Sequence, residues 1–149
     1  MESYAALALS AFLAATLLPF SSEAVLAALV AANRPQEAWA LFAVATAANT
    51  AGSCVNWVLG RFLLHWRDRR WFPVSAQRLA RAQAWFRRWG QWSLLFAWVP
   101  VVGDPLTVAA GALREDFVRF VVLVGIGKAA RYAAVVWLTG EAWGYAAGA

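Results

Sequence analysis

A single cysteine and a single histidine leave this chain of 149 residues little basis for redox or metal chemistry. Cys54 has no second cysteine to pair with, which excludes an internal disulfide, and its place in an apolar run suits a small packing residue. His65 has no companion at ligand spacing, so it reads as an interfacial residue, and no metal or cofactor is expected. A nucleophile with a neighbouring base is missing, as is a glycine-rich phosphate loop, and an enzyme is therefore not expected. Charge is scarce as well, at 14% of residues against 62% hydrophobic, with a mean hydropathy of +0.56. A soluble domain of this length carries more charge, so these proportions and the ten tryptophans point to one membrane domain, residues 1–149. The N-terminus, Met1-Glu-Ser-Tyr4, lacks the basic region of a signal peptide, and the apolar stretch after it is expected to stay in the mature protein.

The net charge of +5 comes largely from one stretch, His65 to Gln91, where the arginines from Arg67 to Arg88 face a single acid, Asp68. Basic residues gathered between apolar segments orient a membrane protein, so this loop is expected to be cytoplasmic and nucleic acid is not expected as a partner. Within it Leu79, Ala82, Phe86 and Trp89 recur at i, i+3, i+7 and i+10, with Arg81 and Arg88 on the other side. That spacing predicts an amphipathic helix lying in the interface, with Arg78 near its apolar edge. Trp66, Trp71, Trp85 and Trp92 suit an aromatic belt on the same side.

Around that loop, apolar segments alternate with breaks. Ser3 to Leu18 is a run of helix formers ending at Pro19-Phe-Ser-Ser-Glu23, after which Ala24 to Ala32 is apolar again. One continuous helix from 3 to 32 would reach about 45 Å, beyond a hydrocarbon core of about 30 Å, so a re-entrant hairpin is the better expectation. Ala38 to Leu64 can span, and its Asn49, Ser53 and Asn56 at i, i+4 and i+7 give it a polar face. Such a face serves either helix-to-helix hydrogen bonding or a polar path. Trp98-Val-Pro-Val-Val-Gly-Asp-Pro105 breaks a second apolar segment, and Phe117 to Thr139 can span again. That second span holds Lys128 and Arg131 on one face, and ionisable residues so deep in a span mark a functional site unless a carboxylate neutralises them or they snorkel. The tail from Gly140 is short and suited to an interface.

Moving the first half by 81 positions lays Pro19 on Pro100 and Glu23 on Asp104, so that proline, three residues and an acid occur in both halves. Each half reads as a re-entrant hairpin plus one span, an odd number of crossings, which turns the second half upside down relative to the first. The expected fold is an all-α integral membrane inverted repeat: residues 3–64, then the basic loop and interfacial amphipathic helix at 65–91, then residues 92–139. The hairpin tips would be formed by Pro19, Ser22, Pro100, Gly103 and Pro105. Ser22-Glu23 and Asp104-Pro105 also read as helix caps, with Asp104 as N-cap and proline at the first helical position.

Leu18-Pro-Phe-Ser-Ser-Glu23, Asn49-Thr-Ala-Gly52, Asn56-Trp-Val-Leu-Gly-Arg61, Trp98 to Pro105 and Gly127-Lys-Ala-Ala-Arg-Tyr132 resemble the YqaA branch of the DedA membrane proteins, which carry the VTT or SNARE-associated domain. The resemblance covers nearly the whole chain. It implies a polytopic inner-membrane protein with two facing re-entrant helices, related to proteins that move lipids such as undecaprenyl phosphate, with proton coupling left open. It assigns Glu23 to the acid of the first hairpin and Gly60-Arg61 to the Gly-Arg after the first span. The chain departs from better-studied members by offering Asn49 or Asn56 where they have an aspartate, and Trp98 and Asp104 where they have arginines. The expected function is a flippase or scramblase of anionic lipid, with Glu23, Asp104, Lys128, Arg131, Asn49 and Asn56 along the path. The alternative is a non-transporting scaffold with a structural charge network. Anionic head groups are the expected partners, and a homodimer would seal the cavity.

Overall fold

Where alanine, leucine and valine run without proline the backbone is helical. A computed structural model of the chain describes residues 2–16, 26–28, 38–62, 65, 69, 70, 74–99 and 101–147, with 2–4, 16 and 140–147 described by their backbone only. The elements are α1 (Glu2–Thr16), α2 (Ala38–Phe62), α3 (Ala76–Trp89), a 3-10 helix η1 (Gly90–Phe96), α4 (Gly103–Ala112) and α5 (Phe117–Ala147). Among the described residues there is no strand. Two segments, Ala38–Phe62 and Phe117–Thr139, are long and apolar enough to cross a membrane, whereas α4 has only ten residues, about 15 Å, and cannot.

Helix α2 is the centre of the packing. Its first half buries Leu41 and Ala45 against Leu7 and Ala11 of α1, Leu26 and Tyr132. Its second half buries Trp57 with Ala110 of α4 and Phe120 and Val124 of α5. The α2–α4 contact is a backbone contact, because a Cβ on Gly60 would overlap the carbonyl of Val108 and a Cβ on Gly111 would overlap the carbonyl of Trp57. Small residues at such a crossing let two helices approach in lipid, where association relies on packing and hydrogen bonds. This close approach is a physical reason for glycine in the Gly60-Arg61 element.

Helix α5 separates its faces with a period near four. Phe120, Val124, Lys128 and Tyr132 are buried, while Val118, Val122 and Ile126 are exposed. An exposed valine and isoleucine stripe on a long apolar helix is the surface a bilayer would cover.

Several expectations meet a different outcome. The predicted amphipathic helix forms as α3, capped by Ser75, whose hydroxyl accepts from the Arg78 amide, and ended by Gly90 at φ 61°. Its apolar stripe packs on protein: Leu79 and Ala82 meet Leu106, Val108 and Ala109 of α4, and Phe86 joins the cluster around Trp57. Trp89, assigned to that stripe, is the last residue of the helix and is 59% exposed. The tail from Gly140 is not a separate segment: α5 runs through Gly140 and Gly144 to Ala147. The first break, with Pro19, Ser22 and Glu23, lies outside the described residues, as does Pro100. Residues 26–28 are helical, and the arms before the two breaks differ in kind: α1 is an α-helix and η1 a 3-10 helix.

Candidate functional site

The polar face of α2 is used by three neighbours. The Asn49 side-chain amide donates to the carbonyl of Ala11 at 2.7 Å, and that of Asn56 donates to the carbonyl of Ala15 at 2.8 Å. Asn49 and Asn56 are seven residues apart and Ala11 and Ala15 four, so the two bonds tie α1 to α2 across two turns. This is the helix-to-helix use of the face.

Between them, Lys128 of α5 projects into the same face. Its ammonium donates to the carbonyl of Asn49 at 2.8 Å and to the hydroxyl of Ser53 at 2.5 Å, and the residue is only 4% exposed. Removing an ammonium from water costs several kcal/mol even after relaxation, and two neutral oxygens return part of it. Asp104 and Lys128 form no direct ion pair. The Asp104 carboxylate instead accepts from the Asn56 amide at 3.4 Å, so the two opposite charges contact α2 three residues apart, at Ser53 and Asn56. The Asn56 side-chain oxygen, Oδ1, is buried and has no hydrogen-bond partner among the described residues.

The second break supplies the remaining contacts. Arg131, one turn beyond Lys128, donates from Nη1 to the carbonyl of Trp98 at 2.6 Å, joining α5 to the segment before α4. Gly103 donates its backbone N–H to Val99 at 2.8 Å, and a Cβ there would overlap the carbonyl of Ala97, so the turn into α4 closes on a glycine. Val101 has φ 70°, a conformation that a β-branched residue rarely adopts. Asp104 does not cap α4 as N-cap. The helix begins at Gly103 after Val102, Asp104 and Pro105 fall in its first turn, and the Asp104 carbonyl accepts from Thr107. The aspartate side chain is turned toward α2, where Asn56 offers a donor.

A family model described as the VTT domain matches residues 18–141. The chain belongs to the VTT-domain family. The inner membrane protein YqaA of Escherichia coli K12 is 38% identical over 130 residues, 87% of this chain and 86% of that one. An uncharacterized protein of Haemophilus influenzae is 36% identical over 137 residues, 88% of this chain and 83% of that one. Undecaprenyl phosphate transporter A of Staphylococcus aureus is 30% identical over 95 residues, which is 58% of this chain and 47% of the relative. No solved structure matches the chain at a significant level.

Within this VTT-domain membrane protein, Asn49, Asn56, Asp104 and Lys128 converge on one face of α2, with Arg131 at its margin. Glu23 lies outside the described residues. Ser53, the hydroxyl on the lysine, stands on the polar face that the i, i+4, i+7 spacing marks. Four further buried polar atoms have no partner among the described residues: the hydroxyls of Ser10, Thr46 and Thr50 and the indole nitrogen of Trp57. Thr50 and Trp57 directly follow Asn49 and Asn56 in sequence, and the packing of α2 shows that both are buried. Among the described residues no cluster of His, Cys, Asp and Glu could hold a metal.

Proposed function

We propose that this protein is a multi-pass inner-membrane transporter that carries an anionic lipid across the bilayer, with the face shared by α2, α4 and α5 as its head-group path. One observation carries the proposal: Lys128 is buried near the middle of a span and held by a hydroxyl and a carbonyl, with Asp104 one turn away and not in contact. A cation satisfied only by neutral oxygens retains an affinity for an anion that enters beside it. Arg131 is the second basic group on this face, and the first turn of α4 adds the positive end of a helix dipole. The transporter relative supports a lipid phosphate as the head group. Asp104 and Glu23 would exchange the proton if transport is proton-coupled, and the basic segment 65–91 would face the cytoplasm. No catalytic step, metal or cofactor enters this reading, and a second copy would close the open side of the path.

The test is translocation in liposomes holding the purified protein and a head-group-labelled anionic lipid. A rate above that of empty liposomes, reduced by Arg131→Ala, is expected; a rate equal to empty liposomes contradicts the proposal.

A structural role is favoured by a different observation, the two asparagine amides spent on α1 carbonyls. If the whole network is structural, Asp104→Asn lowers the yield of folded protein. In the transport reading the yield stays near normal and the rate falls.

A further inference from the structure

Away from the buried lysine, a groove of about 250 Å³ runs between α3 and the start of α4. Its lining includes Arg78, Arg81 and Trp85 of α3, and Val101, Pro105 and Leu106 opposite them. Arg78, Arg81 and Trp85 follow one another at i, i+3 and i+7, so they form one flank of the helix, beside the stripe of Leu79, Ala82 and Phe86 that packs inward. Arg78 is out of place for packing alone, since it interrupts the apolar edge. The groove gives it a position with guanidinium groups at the rim and apolar walls beneath.

Three properties of the groove point to the same kind of occupant. Neither arginine has an ion pair among the described residues, and both are exposed, so two adjacent guanidinium forks are open to an anion. Val101 is 70% exposed and held at φ 70°, which keeps an apolar side chain at the mouth in a conformation it would not choose. Trp85 is 44% exposed on the opposite wall, an amphipathic ring of the type that settles at head-group level.

We propose that this groove seats one anionic phospholipid, its phosphate between Arg78 and Arg81 and its glycerol and first acyl carbons against Trp85, Val101 and Pro105. Guanidinium groups match phosphate in charge and in bidentate geometry. A soluble phosphate would satisfy the arginines and leave the apolar wall wet, whereas a lipid covers both. The leaflet that faces a basic cytoplasmic segment is also the one rich in anionic lipid. The inference rests on the membrane orientation proposed above and does not depend on transport.

Native mass spectrometry of the full-length protein in detergent, titrated with phosphatidylglycerol or phosphatidylcholine of equal chain length, tests the site. One saturable phosphatidylglycerol site is expected, with phosphatidylcholine binding more weakly. The pair Arg78→Gln and Arg81→Gln should weaken phosphatidylglycerol about tenfold, as expected for the loss of charge-assisted bonds. Arg69→Gln with Arg87→Gln removes the same charge from the same basic stretch outside the groove and should change affinity by less than about twofold. Equal losses in the two double variants would overturn the site, and so would no loss in either. Displacement of the lipid by millimolar glycerol 3-phosphate would overturn the lipid assignment in favour of a soluble phosphate. If the double glutamine variant does not fold, Arg78→Lys with Arg81→Lys decides: a loss of about threefold from breaking the planar fork supports the site, and unchanged binding contradicts it. Because the readout is binding, failure here leaves the transport measurement untouched, and absent transport leaves this one untouched.

Discussion

The ammonium of Lys128 donates to the hydroxyl of Ser53 at 2.5 Å, joining α2 and α5, each long enough to cross a membrane, through a charge that is 4% exposed. Ser53→Ala removes that acceptor and leaves the lysine with the Asn49 carbonyl alone. A hydrogen bond to a charged group contributes about 1.5–3 kcal/mol, so thermal unfolding in detergent should show a loss of that order. In the Lys128→Met background the same serine substitution should cost much less, and the difference between the two measures the coupling.

Gly60 and Gly111 face each other's helix across the α2–α4 crossing. Gly60→Ala and Gly111→Ala should each lower stability by about 1–3 kcal/mol or more, because an added methyl group meets backbone that cannot rotate away. The double variant should cost less than the sum, since either methyl alone already separates the helices. The melting temperatures of the three variants check this.

Asn49 and Asn56 both bond α1, but only Asn56 also meets Asp104. Asn49→Ala and Asn56→Ala should each lower stability by about 0.6–1.7 kcal/mol, the range for cross-helix bonds in membranes. Transport should survive the first at reduced yield and be lost in the second. Equal retained rates per folded molecule would remove Asn56 and Asp104 from the path.

How far these features could be read from the sequence depends on how local their causes are. Lys128 stands out because a charge inside a long apolar run has no cheap explanation in lipid, and the i, i+4, i+7 spacing of Asn49, Ser53 and Asn56 defines a face without any tertiary knowledge. That the face would be divided between α1 carbonyls and a lysine depends on which helices lie beside it, and spacing carries no such information. Asp104 resembles a cap because it precedes a proline. The helix starts at Gly103, whose backbone bond to Val99 draws it into the first turn and leaves the carboxylate free to meet Asn56. The amphipathic period of α3 was equally readable, but periodicity does not say whether lipid or protein covers the stripe. Here Leu106, Val108 and Ala109 of α4 cover it.

The central claim, that the buried cation serves an anionic lipid, is tested most directly by comparing wild type and Lys128→Met for lipid translocation per folded molecule in the same liposomes. Methionine keeps an unbranched side chain of similar volume and removes the charge, so stability should stay within about 2 kcal/mol or rise. The account predicts a translocation rate that falls to that of empty liposomes while the yield of folded protein is kept. A Lys128→Met protein that moves labelled anionic lipid as fast as wild type would contradict it.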